Sequence, residues 1–175
     1  VRNAAANAAI WSPSLALYLV LTGTIVSSPD GVTWTTRSAI GLNGIAQGGP
    51  NVVAVGGAAA RFSADGITWG SATGFAITGV GAAWTGSNYV VAGNTTNTRI
   101  SATGAAWSPG AALPATLSSS QQLVYSSSLG YALIIGNVSV GGAPFAATSV
   151  DGSSWTDRSA TMPAGIWRGG LVLTS

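Results

Sequence analysis

The chain has 175 residues, a formal charge of +2 and only 6% charged residues, against roughly 25% in ordinary soluble domains. It has no His, Cys, Lys or Glu; its charges are Arg2, Arg37, Arg61, Arg99, Arg158 and Arg168, with Asp30, Asp65, Asp151 and Asp157. These absences exclude thiol nucleophiles, His-based triads, zinc sites of the usual ligand types, Schiff-base lysines and the P-loop lysine.

Six scattered arginines form no basic stripe, so nucleic acid is not an expected partner, and no cofactor or metal is expected either. The longest apolar run, Leu15 to Leu21, falls far short of the ~20 residues that span a bilayer, so membrane insertion is not expected. Arg2 and the Ala-rich stretch after it have the flavour of a signal peptide, but Ser12, Pro13 and Ser14 interrupt the pattern and the segment reads as mature structure.

Taken in chain order, the same unit recurs. The first has Trp11, the apolar run Tyr18-Leu19-Val20-Leu21, then Ser28-Pro29-Asp30-Gly31-Val32-Thr33-Trp34. The second has Ala46, Val52 to Gly56, then Ser63-Ala64-Asp65-Gly66-Ile67-Thr68-Trp69. The third has Trp84, Tyr89 to Gly93, then Ser101-Ala102-Thr103-Gly104-Ala105-Ala106-Trp107. The fourth has Tyr125, Tyr131 to Gly136, then Ser149-Val150-Asp151-Gly152-Ser153-Ser154-Trp155, and a fifth opens at Trp167.

Apolar runs filled with β-branched and aromatic residues, with no 3.6-residue periodicity, predict an all-β chain. The Asp-Gly pairs predict two-residue type I′ hairpins, in which both central residues take positive φ. Repeats of about 40 residues that each supply four strands predict a β-propeller, because one blade cannot bury both of its faces alone. The predicted blades are 9–42, 43–79, 80–119 and 120–164, with a partial fifth at 165–175. Four and a half units predict part of a larger or assembled propeller, the alternative being a distorted five-blade closure.

The Ser-x-Asp-Gly-x-Thr-Trp segments resemble the Asp box of the bacterial neuraminidase repeat (BNR) family, in the shortened form found in phage and bacterial surface proteins. The sialidase box has one more residue between Asp and Gly, and Thr103 stands where the third copy would have its Asp. The resemblance implies a turn at the blade periphery. On that reading Ser28, Asp30, Gly31, Trp34, Ser63, Asp65, Gly66, Trp69, Ser101, Gly104, Trp107, Ser149, Asp151, Gly152 and Trp155 are structural, with no catalytic residue among them.

Sialidase chemistry uses a Tyr–Glu nucleophile pair and an arginine triad, and glycoside hydrolysis in general uses two flanking carboxyl groups. Only Asp157, beside Arg158, lies outside the boxes. The expectation is a non-enzymatic structural or interaction module of a virion (phage tail, fibre or capsid decoration) or a secreted surface. Its partners would be other virion or surface proteins or further copies of itself. The alternatives are a carbohydrate-binding propeller and a fragment of a sialidase-like hydrolase. Trp11, Trp84, Tyr125 and Trp167 could form a sugar-stacking platform but read first as blade core; Trp84 and Trp167 are the candidates for ligand contact.

Overall fold

The structure, a computed structural model, describes residues 6–118 and 122–162. They form four antiparallel sheets of four strands each. Blade 1 holds β1 (Ala8–Ser12), β2 (Leu17–Leu21), β3 (Ile25–Ser28) and β4 (Thr35–Ser38). Blade 2 holds β5 (Gly44–Gln47), β6 (Val52–Gly56), β7 (Ala59–Ser63) and β8 (Gly70–Ser71). Blade 3 holds β9 (Gly79–Trp84), β10 (Tyr89–Gly93), β11 (Thr98–Ser101) and β12 (Ser108–Pro109). Blade 4 holds β13 (Gln122–Ser126), β14 (Tyr131–Asn137), β15 (Pro144–Ser149) and β16 (Thr156–Asp157), with a 3₁₀ turn at Ser159–Thr161. The fifth unit read from Trp167 onward lies outside the described residues.

Each sheet is a simple meander in which consecutive strands pair. The first strands of all four blades line one axial channel of ≈ 370 Å³, through Asn7–Ile10, Asn43–Ile45, Val80–Ala82 and Gln122–Val124. Three apolar clusters hold the sheets together, one at each junction. Leu19, Leu21 and Ile25 of blade 1 meet Val52 and Ala54 of blade 2. Val53, Val55 and Ala60 of blade 2 meet Tyr89 and Val91 of blade 3. Val90 and Ala92 of blade 3 meet Ala132, Ile134, Phe145 and Ala147 of blade 4.

Alternation explains the sharing: successive residues of a strand point to opposite faces. Residues 52 and 54 therefore look back to blade 1, while 53 and 55 look forward to blade 3. Because the second strands of blades 2 and 3 are covered on both faces, each is a continuous buried apolar run rather than an alternating one.

Register corrects one sequence alignment. Trp11 pairs with Tyr18, Trp84 with Tyr89 and Tyr125 with Ala132. In blade 2 the matching residue is Gln47, opposite Val52, and not Ala46. The slip arose because an aromatic was absent at that position, and Ala46 lies on the opposite face of the strand.

Candidate functional site

Two features gather the chemically distinctive side chains, the box loops and a cleft at one end of the channel. The boxes are seven-residue loops, not two-residue hairpins: the last strand pair before the first is Ser27 with Thr35, and before the second Phe62 with Gly70. Gly31, Gly66, Gly104 and Gly152 have φ of +74°, +70°, +80° and +85°, but Ala16 is the only non-glycine residue with positive φ among the described residues. The expected type I′ geometry is thus corrected. Asp stays in the ordinary region, and its side chain organises the loop in place of a tight backbone turn.

In the first box the buried Ser28 hydroxyl donates to Asp30 Oδ1 (2.9 Å) and accepts from the Gly31 amide (2.8 Å). Asp30 Oδ1 accepts from the Val32 and Thr33 amides at 2.8 and 2.7 Å. The second box repeats this pattern with Ser63, Asp65, Gly66, Ile67 and Thr68. Those bonds to the ionised form, the Thr amide's first, hold the Asp30 and Asp65 carboxyls down at about 2. Asp151 is lowered by the Ser153 hydroxyl and amide, and Asp157 by Ser159. Thr103 replaces the carboxylate with a hydroxyl that accepts one amide bond, from Ala105, at 3.3 Å.

The box indoles cap the loops from outside: Trp34, Trp69 and Trp107 donate to the carbonyls of Gly31, Gly66 and Gly104. Three of the loops also lean on the blade before them. A Cβ on Gly66 would sit 3.2 Å from Leu15 and Leu17, one on Gly104 would overlap Val53, and one on Gly152 would lie 2.8 Å from Val90 and Ile100. Backbone bonds add to this at the later junctions, from Thr73 to the Ala105 carbonyl and from Ala111 to the Gly152 carbonyl. The box is a clamp between blades.

The cleft, ≈ 650 Å³, is lined mainly by apolar groups, with Gln47, Trp84, Tyr125 and Ser127 also in its lining. Gln47, Trp84 and Tyr125 stand at or beside the ends of the first strands, and each reaches the first turn of the preceding blade. Gln47 Nε2 donates to Ser14 Oγ (2.8 Å). Trp84 lies so close over Gly48 and Gly49 that a Cβ on either would collide with the indole. The Tyr125 hydroxyl lies beside Gly86.

Trp84, a sequence candidate for ligand contact, is therefore half-buried between blades while one edge faces the cleft. Trp11, expected in the core, is 46% exposed. Trp167 lies outside the described residues. Sequence reasoning missed Gln47; the usable signal was its place directly before Gly48-Gly49-Pro50, as Trp84 stands before Thr85-Gly86. It also missed Tyr89, whose buried hydroxyl is fixed by the main chain of blade 2.

All four carboxylates of the sequence accept bonds from their own loops, and none lines the cleft. No group of three potential acidic or other metal ligands converges among the described residues. The cleft can stack and hydrogen-bond a ligand through Trp84, Tyr125 and Gln47, but its lining offers no acid–base pair.

No family model matches the sequence, and no curated protein matches it. Among solved structures, the GH74 enzyme of Niastella koreensis superposes with a TM-score of 0.60 at 17% identity, over 87% of this chain and 23% of that one. A second match, Ycf48 bound to D1 peptide, has a TM-score of 0.44 at 13% identity, over 85% of this chain and 70% of that one. The fold is that of β-propeller blades. At such identities the likeness establishes architecture, and sites have to be argued from their own residues. The chain spans under a quarter of the GH74 enzyme's length.

Proposed function

We propose that the chain is a non-enzymatic structural and interaction module that works through blade faces and loop rims. The supporting observation is the engagement of all four carboxylates in loop hydrogen bonds, away from the cleft. Glycoside hydrolysis would instead use two carboxyl groups facing each other across a substrate. The shortened Asp-box form further supports a place on a virion, as a tail, fibre or capsid decoration, or on a secreted or cell surface. The test is incubation of the chain with fluorogenic sialosides and other glycosides. No turnover above buffer is expected, and turnover abolished by Asp157→Asn would overturn the reading.

A second reading, carbohydrate binding, is favoured by one observation: Trp84, Tyr125 and Gln47 line the same cleft. Aromatic faces with an adjacent amide suit a sugar's apolar face and hydroxyl rim. Titration with oligosaccharides should quench Trp fluorescence if this holds, and Gln47→Ala should weaken the response without unfolding the chain. A flat response across a glycan panel would remove this reading.

A further inference from the structure

Every junction between described blades is built from the same parts. The leading face of a blade brings the residue that ends its first strand, the start of its second strand, and its box glycine and indole. The trailing face of the blade before it receives them on its first turn and on the forward-looking residues of its second and third strands. Leu19, Val53 and Val90 are the equivalent trailing residues of blades 1 to 3, and all are fully buried.

Blade 1 carries a complete leading face that no described blade covers. Trp11 and Tyr18, with ring centroids 4.6 Å apart, are 46% and 41% exposed. Trp34 is 44% exposed, whereas its equivalent Trp107 is buried in the junction of blades 2 and 3. A Cβ on Gly31 would meet only Tyr18 of its own blade, at 3.8 Å. Blade 4 carries the complement. Leu133 stands where Leu19, Val53 and Val90 stand and is only half-buried, as is Ile135. Leu129, in the turn that would receive an incoming Trp11, is 62% exposed.

We propose that the leading face of blade 1 docks on the trailing face of blade 4 of a second copy of this chain. This rests on the reading of the chain as an interaction module and names its partner. The contact is heterologous, each copy giving a different face, so it propagates head to tail and closes into a ring where the rotation allows. A partner of this shape already packs against each of the other three leading faces. With only 6% charged residues, little like-charge repulsion opposes association.

Analytical ultracentrifugation of the full chain tests the proposal. At about 100 μM, well above a ~1 μM Kd, the wild type is expected to sediment as a dimer or larger species. Tyr18→Arg on the leading face and Leu133→Arg on the trailing face should each weaken association at least tenfold. An equimolar mixture of the two should restore a dimer, because one variant keeps an intact trailing face and the other an intact leading face. Circular dichroism checks folding, and Trp11→Arg and Leu129→Arg, at more exposed sites on the same faces, replace either variant that unfolds.

A monomeric wild type, as when the chain's own residues 163–175 cover the face, would overturn the proposal. So would association that both variants leave intact, or a mixture that stays monomeric. Absence of association would leave the glycoside result untouched. Glycoside turnover would remove the non-enzymatic reading without bearing on association.

Discussion

The hydroxyl of Tyr89 in blade 3 donates to the Asn51 carbonyl of blade 2 and accepts from the Gly49 and Asn51 amides. One side chain thereby fixes the turn on which Trp84 rests, while its ring lies 4.7 Å from that indole. The ring is fully buried, and burial raises the phenol above its usual value despite the amide bonds. Tyr89→Phe keeps the packing but leaves half-buried main-chain groups of Gly49 and Asn51 without their partner, at a cost of about 1 kcal/mol. Tyr18, its exposed equivalent in blade 1, provides the control: Tyr18→Phe should change stability by less than about 0.5 kcal/mol. Urea melts of the two variants measure the difference, and equal effects would contradict the role assigned to Tyr89.

The box glycines should differ in the same graded way. Alanine at any of them meets the left-handed backbone penalty of roughly 1–2 kcal/mol. At Gly31 little is added, since only Tyr18 lies near. At Gly104 the new methyl overlaps Val53 in the core of the second junction, and overpacking there adds about 1–3 kcal/mol. Gly104→Ala should therefore have the lower melting temperature of the pair. Equal melting temperatures would show that the box does not bear on the preceding blade.

Much of this architecture could be read from the chain because each blade repeats the same local chemistry. The apolar second strands and the Ser-x-Asp-Gly segments mark strand and loop wherever they occur. The conformation of the loop was misread because an Asp-Gly pair suggests a tight turn, whereas the carboxylate of Asp30 reaches forward to two amides and organises a wider one. The inter-blade roles were hidden for a different reason. Tyr89 and Asn51 are 38 residues apart, about one repeat, so their contact leaves no trace in local periodicity. Gln47 was obscured because a polar amide does there what an aromatic ring does at Trp84 and Tyr125.

The box indoles make a further distinction. Trp107 Nε1 donates to the Gly104 carbonyl at 2.9 Å. Trp155 Nε1 is buried without a partner, and the carbonyl it would use, that of Gly152, accepts from the Ala111 amide of blade 3 instead. Trp107→Phe loses a hydrogen bond along with ring volume. Trp155→Phe loses volume but also removes a buried orphan donor, which costs about 1–3 kcal/mol where it stands. Trp155→Phe should be the milder substitution by about 1 kcal/mol or more, as read from paired denaturant melts. The reverse order would show that the Trp155 donor is satisfied in solution.

Acid should loosen the boxes in a defined window. Asp30 and Asp65 titrate near 3.8 when unconstrained and at about 2 in the folded chain, because loop amides and the box serines favour the ionised form. A carboxyl lowered on folding contributes stability that is fully present above its unfolded value and is lost as pH falls through the folded one. The melting temperature should therefore be nearly flat from pH 7 to about pH 5 and fall between about pH 4 and 2. Asp65→Asn keeps an oxygen that can accept the Ile67 and Thr68 amides but cannot titrate. Its melting temperature should be lower than wild type at pH 7, and its further loss between pH 4 and 2 should be smaller. The third box, with Thr103 in place of the acid, contributes nothing to this dependence, so Thr103→Ser should leave the pH profile unchanged in shape. If Asp65→Asn falls as steeply as wild type over the same interval, acid destabilisation comes from general charge repulsion among the arginines rather than from the boxes.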